Sequence, residues 1–151
     1  MDLLLDERMM TLALEDARDA AAGGDVPVGA VVAKGDTVLG RAGNAREREQ
    51  DPTAHAEILA LRRAAVTLGS WHLEGCTMYV TLEPCAMCAG ALVLSRIDRL
   101  VFGAEDPKAG FVGSLGDLVR DARLNHALEV TPGVLAGACG DLLRDFFRDR
   151  R

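Results

Sequence analysis

The feature that most constrains the fold of this chain is the alternation of helix-like and strand-like patterns along it. Apolar residues that recur every three or four positions predict helices, and short runs rich in β-branched residues predict strands. The predicted elements are, in chain order, a helix at 3–22, strands at 26–33 and 37–42, a helix at 53–68, a strand at 76–82, a helix at 84–94, a strand at 99–102, and helices at 118–123 and 133–148. Elements in this order predict an α/β fold in which helices cover both faces of a central sheet.

Two stretches between these elements read as loops. Residues 43–52 are polar and charged, and residues 106–114 are rich in glycine. The helix at 53–68 needs an N-cap, and Asp51 and Thr53 are the candidates that suit this position.

The length and composition indicate one globular domain, which we assign to residues 1–151. Apolar residues make up 49% of the chain and charged residues 26%, which excludes a disordered tail, a collagen-like chain and a disulfide mini-protein. No apolar run reaches the ~18 residues of a membrane span. Acidic residues follow Met1 where a signal peptide would be basic, so we expect a cytoplasmic protein.

The net charge of −6 is unfavourable for a protein that binds nucleic acid. Much of this charge lies at the start of the chain, because residues 1–25 contain seven acidic and two basic residues. The rest of the chain is nearly balanced. A local basic patch is therefore compatible with the sequence.

Two of the four cysteines form a pattern. Cys76 and Cys139 stand alone among apolar residues, and we interpret both as small core residues. Cys85 and Cys88 are three residues apart at the start of a predicted helix, which places both thiols on one face, where the helix dipole favours thiolate. By itself this Cys-x-x-Cys pair also fits a redox pair or half of a zinc knuckle.

A His-x-Glu segment, which begins 30 residues before Cys85, completes a set of metal ligands. One imidazole and two thiolates, from His55, Cys85 and Cys88, are the ligand types that zinc prefers. Structural zinc sites usually have a fourth protein ligand, whereas three ligands and water are typical of catalytic sites. Glu57 is the candidate for accepting a proton from that water. Its alternative is an ordinary glutamate that the dipole favours in a first helical turn.

The combined pattern His-x-Glu and Pro-Cys-x-x-Cys resembles the established signature of the zinc-dependent nucleoside and nucleobase deaminases. Within that superfamily, the chain from about Val26 to Arg148 is similar to the bacterial tRNA adenosine deaminases. The stretches that carry this similarity are 26–30, 43–44, 51–57, 81–91, 102–104, 106–110, 113–115, 125–126 and 142–148.

The resemblance implies a fold and a reaction. The implied fold is a three-layer α/β/α sandwich of the cytidine deaminase type, with a central mixed, mostly five-stranded sheet. One Zn²⁺ per subunit would be held by His55, Cys85 and Cys88. The implied reaction converts adenosine to inosine at the wobble position of a tRNA anticodon, by attack of zinc-bound hydroxide on C6 with Glu57 as proton shuttle.

The resemblance also implies partners, namely a tRNA anticodon stem-loop and a second copy of the chain that completes the RNA site, with no DNA as natural substrate. Val28 and Asn44 are implied to contact the flipped base. Asp106 and Lys108 are implied to lie in the loop that holds the anticodon, and Phe146 and Arg148 on the side of the last helix that faces the RNA. The Asn44 amide offers a donor and an acceptor to a purine, but it equally suits a turn. The last helix mixes acidic and basic residues, so a merely solvated face is the alternative there.

Several features stay outside this assignment. Residues 45–50 and Phe111 differ from the usual family pattern. His72 and His126 have no partner at ligand spacing, and we interpret both as structural or surface residues. Two other functions share the same motifs: deamination of a free base such as guanine or cytosine, and a non-catalytic binding module stabilised by zinc. The lack of a fourth paired ligand and the presence of Glu57 count against the binding module.

Overall fold

The computed structural model describes residues 2–150 and contains one five-stranded mixed sheet. The elements are α1 (Leu3–Ala22), β1 (Gly29–Lys34), β2 (Thr37–Gly43), α2 (Arg46–Glu49), α3 (Ala56–Leu68), β3 (Thr77–Leu82), α4 (Ala86–Leu94), β4 (Arg99–Ala104), β5 (Glu129–Thr131) and α5 (Ala136–Asp149). The strand order is β2-β1-β3-β4-β5. β1 runs antiparallel to β2 and β3, whereas β3, β4 and β5 are parallel.

Helices cover both faces of this sheet. Because side chains alternate along a strand, β3 sends Met78 and Val80 into a core with α3 and α4, and Tyr79 into a core with α1 and α5. The central strands are almost entirely buried, which explains their continuous apolar runs. The three-layer α/β/α sandwich with a mixed five-stranded sheet, as the resemblance implied, is confirmed.

The structure corrects three local predictions. The predicted helix at 118–123 is wrong, because this stretch forms turns; its apolar signal comes from Val119, which is fully buried. β5 was not predicted, since three partly exposed residues carry too short a pattern. The predicted loop at 43–52 contains the four-residue helix α2, whose N–H groups at Glu47 and Arg48 donate to the buried Asp25 carboxylate.

None of the helices described between residues 2 and 150 combines the length and the apolar character that crossing a membrane requires.

Candidate active site

The two helices that reach the site both begin at a predicted metal ligand. His55 is the N-cap of α3 and Cys85 is the N-cap of α4, and neither side chain makes a capping hydrogen bond. N-caps are usually Ser, Thr, Asp or Asn, because their side chains accept a backbone N–H. Asp51 instead accepts from the Thr53 N–H and hydroxyl at 2.8 Å. Neither predicted cap for α3 is therefore correct, and the extended backbone at both N-caps leaves their side chains available for another role.

The three predicted metal ligands lie together. The Nδ1 atom of His55 is 3.7 Å from Sγ of Cys85 and 3.5 Å from Sγ of Cys88, and all three ligand atoms lie within 4.8 Å of one another. Tetrahedral coordination with metal–sulfur and metal–nitrogen bonds of about 2.3 and 2.0 Å separates N and S by roughly 3.5 Å. The residues present therefore fit a single tetrahedral ion. Among the residues described, this is the one such group of three or more potential ligands.

The electrostatics of this group favour a thiolate. Hydrogen bonds from Cys88 and then from His55 lower the pKa of Cys85 to about 3, despite its partial burial. The pKa of Cys88 is raised, because its thiol donates to Cys85 and is buried. The pKa of His55 is raised by its hydrogen bond with Cys85. Thiolate is the form of cysteine that binds metals, so the site is electrostatically prepared for a cation.

Glu57 occupies the first turn of α3 and is 4% exposed. Burial raises the pKa of its carboxyl group. No ion pair between residues 2 and 150 involves Glu57, so no lysine or arginine opposes the effect of burial. Because its pKa is raised, this carboxyl group binds a proton more readily than an exposed glutamate does, which suits a group that takes up and releases protons in general acid–base chemistry.

A cavity of about 160 Å³ opens beside these groups. It is lined by His55, Glu57 and Cys85. It is also lined by three residues predicted to contact substrate, Val28, Asn44 and Asp106. Sites for drug-sized ligands start at about 300 Å³, so this cavity suits one small group, such as a single base.

The amide of Asn44 is held in a fixed orientation at the cavity. Its Nδ2 donates to the carbonyl of Val26 at 3.2 Å, and its Oδ1 accepts from the Arg46 N–H at 3.1 Å. A primary amide has two donors and two acceptor sites. One donor and one acceptor site of Asn44 are thus engaged by the backbone, and the others remain for a ligand.

The other predicted RNA contacts lie in two further cavities. Lys108 and Arg148 line a cavity of about 630 Å³ that also includes Asp106. Phe146 lines a cavity of about 420 Å³, but it is only 9% exposed and the Arg150 guanidinium lies 3.7 Å from its ring centroid. The exposed aromatic residue on α5 is Phe147, which lies in the cavity with Lys108.

Two buried carboxylates near the site were not predicted from the sequence. Glu83 is 2% exposed and accepts hydrogen bonds from the loop at 106–114. Asp25 is fully buried below α2, where its carboxylate pairs with the Arg48 guanidinium at 3.3 Å. Burial alone would raise the pKa of Glu83, but hydrogen bonds from Ser114 and from three backbone N–H groups lower it. Glu83 lies in a stretch that supports the family resemblance; nothing in the sequence pattern singles out Asp25.

Comparison with known families decides the class of this site. The family model of the MafB19-like deaminases matches residues 5–151. A tRNA-specific adenosine deaminase of Bacillus subtilis (strain 168) is 51% identical over 146 residues, which cover 97% of this chain and 91% of the relative. The chain belongs to the tRNA-specific adenosine deaminase family. A second member of this deaminase family, from Haemophilus influenzae, is 52% identical over 147 residues, which cover 97% of this chain and 85% of that relative.

Solved structures agree with this membership in the tRNA-specific adenosine deaminase family. A structure from work on A-to-I editing by tRNA deaminases at the wobble position of transfer RNA has a TM-score of 0.87 and 42% identity. It covers 90% of this chain and 99% of that one. A guanine deaminase from Nitrosomonas europaea superposes with a TM-score of 0.81 but only 27% identity, over 93% and 83% of the two chains. The sequence-based recognition of the family and of an enzyme is confirmed.

Proposed function

We propose that this protein hydrolyses adenosine to inosine, with release of ammonia, at the wobble position of a tRNA anticodon. The observation that carries the proposal is the identity of 51% and 52% to two tRNA-specific adenosine deaminases over 97% of the chain. The guanine deaminase structure, at 27%, is a more distant relative. The geometry supports the same reaction, because a ligand trio, a buried carboxyl group and a base-sized cavity meet at one point.

His55, Cys85 and Cys88 would hold Zn²⁺, since two thiolates and an imidazole are ligands of the type that zinc prefers. When bound, Zn²⁺ acidifies water and so provides a nucleophile near neutral pH. Three carboxylates line the cavity, but those of Glu83 and Asp106 accept backbone N–H groups of the loop. Glu57 is therefore the carboxyl group that takes the proton from water and delivers protons to the purine ring and to the departing amine.

Other residues of the cavity would orient the base. Val28 supplies an apolar wall, and Asn44 presents its remaining donor and acceptor to the purine edge. The neighbouring cavity, with Lys108, Phe147 and Arg148, offers cations for phosphates and an exposed ring for stacking. A base in an anticodon loop is already unpaired, so turning it into the cavity requires little energy.

The decisive experiment is incubation of the protein with an anticodon stem-loop that carries adenosine at the wobble position, followed by nucleoside analysis by mass spectrometry. We expect inosine and ammonia in equal amounts. A stem-loop with guanosine at that position, and free guanine and cytosine, serve as comparison substrates. Turnover of a free base with no change in the RNA would overturn the proposal and establish a nucleobase deaminase instead.

We also propose a homodimer, which α4 supports. This helix contains no charged residue, and its outer side carries a stripe of Met87, Gly90, Ala91 and Leu94, with Leu94 73% exposed. An apolar stripe of this kind is typical of a protein–protein interface. Sedimentation should give twice the chain mass of 16.1 kDa. Leu94→Asp should shift the protein to monomer, whereas Leu4→Asp, at an exposed leucine of α1, should not; a wild-type monomer would contradict the proposal.

Given a tRNA substrate, we further propose that residues 1–151 act as one deaminase domain in the cytoplasm, with RNA rather than DNA as natural substrate. A cell fractionation in which the protein separates from the cytosolic tRNA pool would contradict this location.

A further inference from the structure

The carboxylate of Glu83, at the end of β3, is surrounded by donors from a single loop. It accepts from the backbone N–H groups of Asp106 at 3.0 Å, Val112 at 2.9 Å and Ser114 at 3.1 Å, and from the Ser114 hydroxyl at 2.5 Å. Glu83 itself is 2% exposed. Both of its oxygens therefore hold the loop at 106–114. Among the hydrogen bonds described, no other buried carboxylate side chain binds this loop.

The loop is shaped to receive this carboxylate. A Cβ atom at Gly110 would lie 2.3 Å from Cδ of Glu83 and 2.6 Å from the Asp106 carbonyl oxygen, so any larger residue would force the loop and the carboxylate apart. The Asp106 carbonyl also accepts the Gly110 N–H at 2.9 Å, which closes the turn around Glu83. Gly110 is thus required here for close approach.

The same loop is joined to the segment that supplies a metal ligand. The Phe111 N–H donates to the Pro84 carbonyl at 2.8 Å, and Cys85 and Gly110 form an isolated antiparallel bridge. Glu83 lies two residues before Cys85 in the chain. The loop and the segment of Cys85 are consequently held together by backbone contacts.

The loop carries residues that face two cavities. Asp106 lines both the cavity beside His55 and the larger cavity on the α5 side, and Lys108 lines the latter. Displacement of the loop by an ångström would move these groups relative to Glu57 and the ligand trio. Well-supported loops of this kind keep substrate-binding groups in the productive geometry.

We propose that Glu83 is a positioning residue, which fixes the substrate-facing loop at 106–114 against the segment of Cys85 and so sets the distance between the RNA-binding groups and the reacting base. The RNA in this statement rests on the proposed function. Glu83 acts through the loop and not on the substrate, because its oxygens are already occupied by loop donors.

The first test is Glu83→Gln, which keeps the size of the side chain but turns an amide toward N–H donors. We expect the amides of Val112 and Ser114 to exchange with solvent at least about tenfold faster, while those of α3 are unchanged. We expect KM for the stem-loop to rise about tenfold, with kcat within about threefold and metal content unchanged. Asp6→Asn, a buried carboxylate on the opposite face of the sheet, is the matched control for a general loss of stability, and it should leave loop exchange and KM as they are.

Two variants that leave Glu83 itself unchanged keep the test decisive if Glu83→Gln fails to fold. Ser114→Ala removes only the hydroxyl donor and should raise loop exchange and KM by about threefold. Gly110→Ala disturbs the same contact from the loop side. Its effect on KM combined with Ser114→Ala should be less than the product of the separate effects, because both act on one contact.

Three results would overturn the proposal: unchanged exchange of the Val112 and Ser114 amides, a loss of kcat and metal with an unchanged KM, or independent effects of Gly110→Ala and Ser114→Ala. Loop exchange and metal content are measured without substrate. If the wild-type protein does not deaminate the stem-loop, the proposed function fails, whereas the exchange data still decide whether Glu83 fixes the loop.

Discussion

Two clusters of polar side chains lie on opposite faces of the sheet. The Asp6 cluster, which consists of Asp6, Tyr79, Arg99 and Thr131, lies on the α1 side. The His55 cluster, which consists of His55, Glu57, Cys85 and Cys88, lies where α3 and α4 begin. Both clusters are drawn from residues far apart in the sequence, yet their charges are satisfied in different ways.

In the Asp6 cluster, opposite charges neutralise each other. Arg99 donates from Nη1 and Nη2 to the two oxygens of Asp6 at 2.9 and 2.7 Å, and it also donates to the Thr131 hydroxyl. The Tyr79 hydroxyl donates to Asp6 at 3.2 Å. The bidentate pair ties α1 to β4, and the hydrogen bonds with Tyr79 and Thr131 extend the cluster to β3 and β5. Asp6, Tyr79 and Arg99 line none of the cavities described above.

In the His55 cluster, no arginine or lysine forms an ion pair with Glu57 or Cys85 within the part of the chain described, and the groups surround a cavity. Burying a charge without a partner is unfavourable, so such groups shift their pKa values or bind a cation. The comparison indicates that buried charge contributes to stability where it is paired, and to chemistry where its neutralisation is left to a ligand.

The largest expected effect that tests this comparison is the loss of activity on replacing Glu57. We expect Glu57→Ala to reduce kcat for the stem-loop by about 10²- to 10⁴-fold, because the proton shuttle is lost. The melting temperature should not fall, since no ion pair is removed, and metal content should persist. Retention of full activity, measured by inosine formation, would remove Glu57 from the mechanism.

The second prediction concerns metal removal. A chelator should lower the free energy of unfolding by about 4 kcal/mol relative to protein in metal at a thousandfold excess over Kd. Cys85→Ala should show the same loss with no response to the chelator. Cys139→Ala, at a buried cysteine outside the site, is the control and should keep full metal content by elemental analysis. Unchanged metal in Cys85→Ala would show that the ligand set is wrong.

The third prediction concerns the paired cluster. Asp6→Asn should lower the free energy of unfolding by about 3 kcal/mol, because Arg99 is left buried without its counter-charge. At a temperature where the variant is fully folded, kcat/KM should equal that of the wild type. Denaturant unfolding and stem-loop kinetics measure the two quantities. A selective loss of activity would contradict the division between a stabilising and a chemical cluster.

The smallest expected effect is a shift in the pH at which Tyr79 loses its proton. Burial, together with the neighbouring Asp6, raises the pKa of Tyr79 to about 12. Because this folded-state pKa exceeds the unfolded value of about 10, the stabilisation is complete below pH ~10 and is lost as pH rises toward 12. The chain contains one tyrosine, so phenolate absorbance reports Tyr79 directly. A midpoint near 10 in the folded protein would contradict this, and Tyr79→Phe supplies the baseline.

The sequence predicted the helices and strands of the core because each long element repeats its pattern several times. It also predicted the four members of the His55 cluster, because the motifs His-x-Glu and Cys-x-x-Cys are recognisable by their spacing and lie at the starts of predicted helices. Their separate roles stay predictions that the experiments above test. Short elements such as α2 and β5 lack such repetition, and they form only because Asp25 and β4 hold them.

The burial of carboxylates could not be predicted in this way. Nothing local distinguishes Glu83, whose donors lie 23 to 31 residues further along the chain, from an exposed glutamate. Similarly, two adjacent phenylalanines share one sequence context, but the docking of α5 covers Phe146 and leaves Phe147 51% exposed. Sequence thus predicted the long helices and strands, the candidate metal ligands and the reaction class, because these depend on local periodicity and residue chemistry. Only the tertiary structure decided which charges are paired, which loop is held and which ring faces solvent, because burial depends on contacts between distant segments.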